Sequence, residues 1–322
     1  MDIIVRETDM IDTKCMNKGY PILHKKGIVG TGSECTPFVF NGRLYRVESE
    51  DQEHCTDSLR TRAHSHARIF DVETGEIISR FAYGHYFFDA YVEDGKVYVF
   101  GTLNNAHNGW MGGDTVDVYE STDLVNWTER QFFKNEGWIF YNHSVTKDDE
   151  GYAITVEVCE PVEVAGEHPF TYIFAKSKDL KTVEFLDYRI SYPQDRYSGG
   201  SVMRYFNGFY YFATLVALPG SVWVFYLSRT KDFLNWTLGK YNPVIQVTND
   251  DRQVSPDAKG ITDEMRERIK TGYFSSASDV DFCEFNGKTV INYNVGNQHG
   301  FGFMAEAIYD GPLKQLLEDF FD

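Results

Sequence analysis

Acidic and imidazole side chains recur at matching distances before a set of turn glycines. Counting back eight residues from Gly42, Gly95, Gly151, Gly208 and Gly287 gives Glu34, Phe87, His143, Gly200 and Asp279. Counting back six gives Thr36, Asp89, Val145, Val202 and Asp281. Side chains two apart on a strand share a face. Glu34, Asp89, His143, Asp279 and Asp281 are therefore expected to converge, although they come from four separate stretches of chain. Carboxyls brought together from different elements can divide bond cleavage between a proton donor and a base that activates water or attacks carbon. Hydrolysis of a glycosidic bond uses such a pair, and a third polar group tunes the acid.

Other polar residues fall near the same strand ends. Four of the histidines His64, His66, His85, His107, His143 and His299 lie near strand ends or in loops, and His143 stands out because it keeps the register of Glu34 and Asp279. His64 and His66 alternate along one stretch, but two histidines without a third placed ligand are a weak metal signal. The stretch Asn294–His299, which includes Gln298, follows the last glycine-marked hairpin, and Asn104–Trp110, which includes His107, follows the second. Amides, imidazoles and an indole beside carboxylates suit hydroxyl recognition and ring stacking. His107, Trp110, Asp281, Gln298 and His299 are the expected substrate contacts; Glu34, Asp89, His143 and Asp279 are the expected catalytic group.

What positions these residues is a repeat. Each glycine closes a tight turn between two strand-like stretches, and Asn-Gly and Asp-Gly pairs favour the turns that join antiparallel strands. The glycines are almost evenly spaced until the last interval, which is longer. A second motif keeps phase with them: Ser121–Trp127, Ser177–Leu180, Thr230–Trp236 and Tyr309–Pro312, with Asp71–Gly75 in the first unit. Its Ser, Thr and Asp side chains suit a turn from the third strand of a unit to the fourth. A hairpin repeated at near-constant period predicts a five-bladed β-propeller of four-stranded antiparallel sheets, an all-β fold forming one domain over residues 1–322. The long interval holds an insertion over about 241–272. In it Thr262 is the expected N-cap of a short helix with Met265 and Ile269 on one face.

The 322 residues are 25 % charged, 42 % hydrophobic and 16 % aromatic, with a net charge of −17. Aromatics suit pleated, half-buried strands. So acidic a surface repels phosphate backbones and anionic lipid, which argues against nucleic-acid and membrane partners and for a neutral ligand. Cys15, Cys35, Cys55, Cys159 and Cys283 are odd in number and lack a CxxC pair, so neither a disulfide framework nor a thiolate zinc site is expected. The first ten residues have no apolar leader-like run, which points to a cytoplasmic protein; a secreted or periplasmic chain with its leader removed would read the same way. No phosphate-cradling GxxxxGK[ST], GxGxxG after a strand, GxSxG or HExxH motif occurs. No cofactor is required by the expected chemistry, and a site-organising divalent ion such as calcium is compatible with it.

The hairpins, the motifs Ser121–Trp127 and Thr230–Trp236, and residues 276–313 together resemble the five-bladed propeller glycoside hydrolases of families 43, 32, 62 and 117 across nearly the whole chain. The family 43 pattern implies an Asp base, an Asp that modulates and orients, and a Glu acid. This chain departs from it. Thr36-Pro37 stands in place of Asp-Pro, with Glu34 two positions earlier, and Ser198–Ser201 carries two glycines where the acid Glu would fall. The family 117 type, with a His acid, makes His143 or His299 the implied acid. The resemblance thus implies an exo-acting, inverting glycosidase on a neutral oligosaccharide, the alternative being a carbohydrate-binding propeller that has lost its acid.

Overall fold

The computed structural model describes residues 3–4, 6–8, 21–50, 65–109, 111–166 and 170–321. After the short β1 (Arg6–Thr8) and β2 (Leu23–Gly30), the strands group by pairing into four-stranded antiparallel sheets. β3 (Ser33–Phe40), β4 (Arg43–Glu50), β5 (His66–Asp71) and β6 (Ile77–Phe81) form one. β7 (His85–Glu93), β8 (Lys96–Leu103), β9 (Thr115–Ser121) and β10 (Thr128–Lys134) form the next. β11 (Ile139–Lys147), β12 (Tyr152–Glu160), β13 (Thr171–Ser177) and β14 (Glu184–Phe185) follow, then β15 (Ser198–Phe206), β16 (Phe209–Leu218), β17 (Val222–Thr230) and β18 (Asn235–Leu238). In the last group β19 (Ser276–Phe285), β20 (Lys288–Gly296) and β21 (Gly302–Tyr309) take β2 from the opposite end of the chain as their fourth strand. One parallel pairing, Trp223 with Ser276, links the last two groups, and β1 runs parallel beside β18.

The first strands meet side by side in the order β3, β7, β11, β15, β19 and back to β3. This is a propeller-like arrangement. Each inner strand has one edge outside its own sheet, and its buried polar groups need partners. Side chains from the neighbouring sheet supply them. Asp89 Oδ2 accepts from Val145 N at 2.9 Å, Ser144 Oγ accepts from Met203 N at 3.2 Å, and Thr146 Oγ1 accepts from Tyr205 N at 3.1 Å. Arg204 reaches Asp281 at 2.5 Å, and Thr36 Oγ1 donates to Phe88 O at 3.4 Å.

The outer faces are sealed by the phased motif. Asp123 and Asp232 each accept two backbone N–H groups and the side-chain amide of the following Asn, closing the turn between third and fourth strands. The tryptophan after each turn then covers the neighbouring sheet. Trp127 stacks on Phe81 at 4.0 Å and Trp236 on Tyr192 at 4.1 Å between ring centroids. Between β18 and β19 lies a helix, Asp263–Thr271, capped by Thr262 Oγ1 accepting from Met265 N, with Met265 and Ile269 buried. Among the described residues no helix is long and apolar enough to cross a membrane.

Candidate active site

Four of the glycine-marked turns hold two residues: the pairs Phe40–Arg43, Glu93–Lys96, Phe206–Phe209 and Phe285–Lys288 close them. In the third sheet the closing pair is Lys147–Tyr152, so that turn is two residues longer. The register counted back from Gly151 therefore slips by two. The counterpart of Glu34, Phe87, Gly200 and Asp279 is Tyr141, and His143 belongs one step deeper with Thr36, Asp89, Val202 and Asp281.

Every inner strand breaks its pairing at the outer of these two levels. Glu34, Phe87, Gly200 and Asp279 stand in these bulges at positive φ, +48°, +57°, +47° and +52°. Non-glycine residues rarely hold that conformation, and it concentrates at functional sites; a bulge re-aims the side chain it carries. Here the bulges of β3 and β19 aim Glu34 and Asp279 into one cavity of about 530 Å³. Ser33, Tyr86, Ser276, Ser278, Asn294 and Gln298 line it too, with Phe301, Phe303 and Arg268, the last from the helix Asp263–Thr271. Asn294 Nδ2 donates to Asp279 Oδ2 at 3.2 Å, and Gln298 Nε2 to Ser276 Oγ at 2.8 Å. On one wall Glu50 takes hydrogen bonds from His66, Arg68 and Arg80. The His66 bond first, then Arg80 and Arg68, lower its pKa to about 2 against burial, which fixes it as an ion.

The deeper level is closed off from this cavity. Asp89, His143 and Asp281 are 3 %, 4 % and 5 % exposed, and none of them lines it. Asp281 is paired with Arg204. Burial first, then the charge of Asp281, holds the Asp89 carboxyl well above the usual range, against Arg204 and the N–H groups of Val145 and Ala90. Burial also raises Asp281, and Arg204 opposes it. Burial pushes His143 down to about 4, against the carbonyls of Phe100 and Tyr141, so its ring is neutral at working pH. The expected convergence of Asp89, His143 and Asp281 with Glu34 and Asp279 is thus corrected: they are buried one register step further along the inner strands, outside the cavity lining. His107 is exposed and pairs with Glu160 at 3.0 Å, apart from this lining. His299 is exposed, edge-on to Trp223 at 6.5 Å, beside the lining residue Gln298. Trp110 and His64 lie outside the described residues.

One carboxyl had no signal in the repeat. Glu157, on β12, is 2 % exposed beneath Gly199 and Gly200. Its Oε2 accepts from Asn142 Nδ2 at 2.8 Å, Gly200 N at 3.0 Å and Tyr172 OH at 3.4 Å. Burial, and more weakly the charge of Asp279, lift its pKa to about 8 against the Asn142 and Gly200 bonds. Half-buried Tyr197 feels all three acids: after burial, Glu157, Asp279 and Glu34 raise its phenol. Among the described residues no group of three or more His, Cys, Asp or Glu side chains is arranged to hold a metal ion.

No protein-family model and no curated protein matches the sequence. Solved structures do match. The GH43 BlXynB protein from Bacillus licheniformis is 15 % identical at a TM-score of 0.56, over 87 % of this chain. This chain spans only 52 % of that protein's length. A thermostable family-43 glycoside hydrolase is 11 % identical at a TM-score of 0.57, covering 91 % of this chain and 90 % of its own. The GH43_1 enzyme from Xanthomonas citri, complexed with xylose, is 13 % identical at 0.54, covering 89 % and 90 %. The ring of inner strands and these matches lead to one conclusion: the chain has the propeller-like fold of the family-43 glycoside hydrolases.

Proposed function

We propose that the chain is a five-bladed β-propeller glycosidase that removes terminal residues from a neutral oligosaccharide by single displacement with inversion. The observation that carries this reading is the pair of bulged carboxylates, Glu34 and Asp279, aimed from two different sheets into one cavity. Its volume falls within the usual range for small-ligand sites. Phe301, partly exposed at the cavity, offers an apolar face for a sugar ring, and Asn294, Gln298 and the serines offer hydroxyl partners. In this reading Glu34 takes the proton of the attacking water and Asp279 orients the sugar. Asp89 and Asp281, beneath them, keep the inner strands in register. A structural neighbour holding xylose is in keeping with a sugar ligand, and the chemistry requires no cofactor.

One feature favours a second reading, carbohydrate binding without turnover: Gly199 and Gly200 stand where the resemblance to family 43 would place the acid Glu. A panel of aryl glycosides, assayed for free sugar, separates the two. Release of sugar from at least one member is the expected result. Saturable sugar binding with no release from any member would establish the binding module instead.

A further inference from the structure

We propose that Arg268, on the inserted helix Asp263–Thr271, sets the specificity of this site by donating to two adjacent hydroxyls of the bound sugar. This rests on the glycosidase reading and names the feature of the sugar that the cavity selects. Two guanidinium groups line the cavity, those of Arg68 and Arg268. Arg68 is committed to Glu48 and Glu50, each at 2.6 Å. Arg268 is half-buried and pairs with no acid among the described residues; the ion pair that its helix does make joins Lys270 to Glu267 on the exposed side. Acids outnumber basic residues 48 to 31 in this chain, so a cavity-lining cation without an acid keeps its donors for a ligand.

The helix is held firmly enough to aim this side chain. Met265 and Ile269 anchor its inner face in the core. At its end Gly272 lies against Phe301. A methyl group there would stand 2.2 Å from Cζ and 2.7 Å from Cε1 of that ring, so only glycine permits the approach. Phe301 is itself packed edge-on against Phe274 at 5.1 Å and Phe303 at 5.4 Å. The Arg268 guanidinium stands 5.8 Å from the Phe301 ring centroid, within reach of cation–π attraction. Arg268 and Phe301 are therefore neighbours on one wall, and a sugar packed against the ring brings its hydroxyls to the guanidinium.

The charge of the cavity decides what kind of group Arg268 reads. Glu34, Glu50 and Asp279 line it against Arg68 and Arg268, and Glu50 is already met by Arg68 and Arg80. The two other carboxylates outweigh the one uncommitted guanidinium, so an anionic sugar is repelled and a neutral one is not. The planar fork of a guanidinium presents parallel N–H groups. They match two oxygens on adjacent ring carbons, and the hydroxyl protons are left for the carboxylates and amides of the cavity.

The test uses the sugar that the aryl glycoside panel identifies, by release or by binding, and its monodeoxy analogues. Titration calorimetry measures affinity for the free sugars, and steady-state kinetics measures turnover of the glycosides. Arg268→Met keeps an apolar stem and removes the donors. It should weaken binding of the parent sugar by about 10- to 100-fold, as a rise in KM with kcat nearly unchanged. The loss should shrink by about tenfold on the two analogues that lack a hydroxyl of the pair, and stay full on the others. Arg268→Lys, a point charge in place of the fork, should recover only part of the loss. Equal weakening of the parent and of every deoxy analogue would mean that Arg268 only supports the wall, and would overturn the proposal. So would a wild type that prefers a uronic acid to its neutral counterpart. A wild type that binds the sugar without releasing it would overturn the glycosidase reading alone, and the calorimetric comparison would then decide the role of Arg268. Binding of no sugar at all would overturn both.

Discussion

Glu34→Gln is expected to lower turnover by on the order of 10²- to 10⁴-fold, the range a positioned general base contributes, with little change in sugar affinity. Glutamine keeps the shape of glutamate, so the bulge at Glu34 and its φ of +48° are retained while the proton acceptor is lost. The loss should be the same on activated and unactivated glycosides, because water must be deprotonated in both. Steady-state kinetics with a separate measurement of sugar binding checks it, and unchanged turnover would remove Glu34 from the mechanism.

The largest stability effect is expected at Arg204. This guanidinium pairs with Asp281 and donates to the carbonyl of Phe282, and it lowers the pKa of Asp89, all within the buried layer beneath the cavity. Arg204→Met leaves two neighbouring buried carboxyls without a counter-charge. Removing one partner of a buried pair costs about 3–5 kcal/mol. The cost should depend on pH with a definite sign. Asp89 and Asp281 have folded pKa values above their ordinary ones, so the folded state holds protons that the unfolded state releases. The stability tied to them is full below the unfolded carboxyl pKa and is lost as pH rises through the folded values. Without Arg204 those values climb further, and the decline steepens. Urea unfolding at pH 5 and pH 7.5 should show the variant closer to wild type at the lower pH. An equal loss at both would mean that the layer is not held by charge.

Much of the architecture was legible in advance, for physical reasons. Asn-Gly and Asp-Gly pairs dictate two-residue turns, so they marked four inner hairpins to the residue. Asp123 and Asp232 marked the outer turns because an Asp in that position caps the backbone locally. Thr262 marked its helix start in the same way. The register reading of His143 slipped because Asp148–Gly151 makes a longer turn; the signal was there in Glu150-Gly151, which is not the Asn-Gly or Asp-Gly pair of the other four turns. Glu34 and Asp279 line one cavity as the glycine count expects, because their turns are of the regular kind. Glu157 was missed because it lies on a second strand, where the glycine count does not reach and the flanking Val156 and Val158 read as core. Tyr86 and Arg268 join the cavity through tertiary placement alone. His107 was drawn in by its neighbours in sequence, yet it pairs with Glu160 in solvent.

The most direct test of the account is the configuration of the sugar as it is released. Proton NMR of wild-type turnover on the first active glycoside follows the anomeric signal before mutarotation. The account predicts that the first-formed product has the anomeric configuration opposite to that of the substrate, because Glu34 activates water for a single displacement. A first product of retained configuration would contradict it.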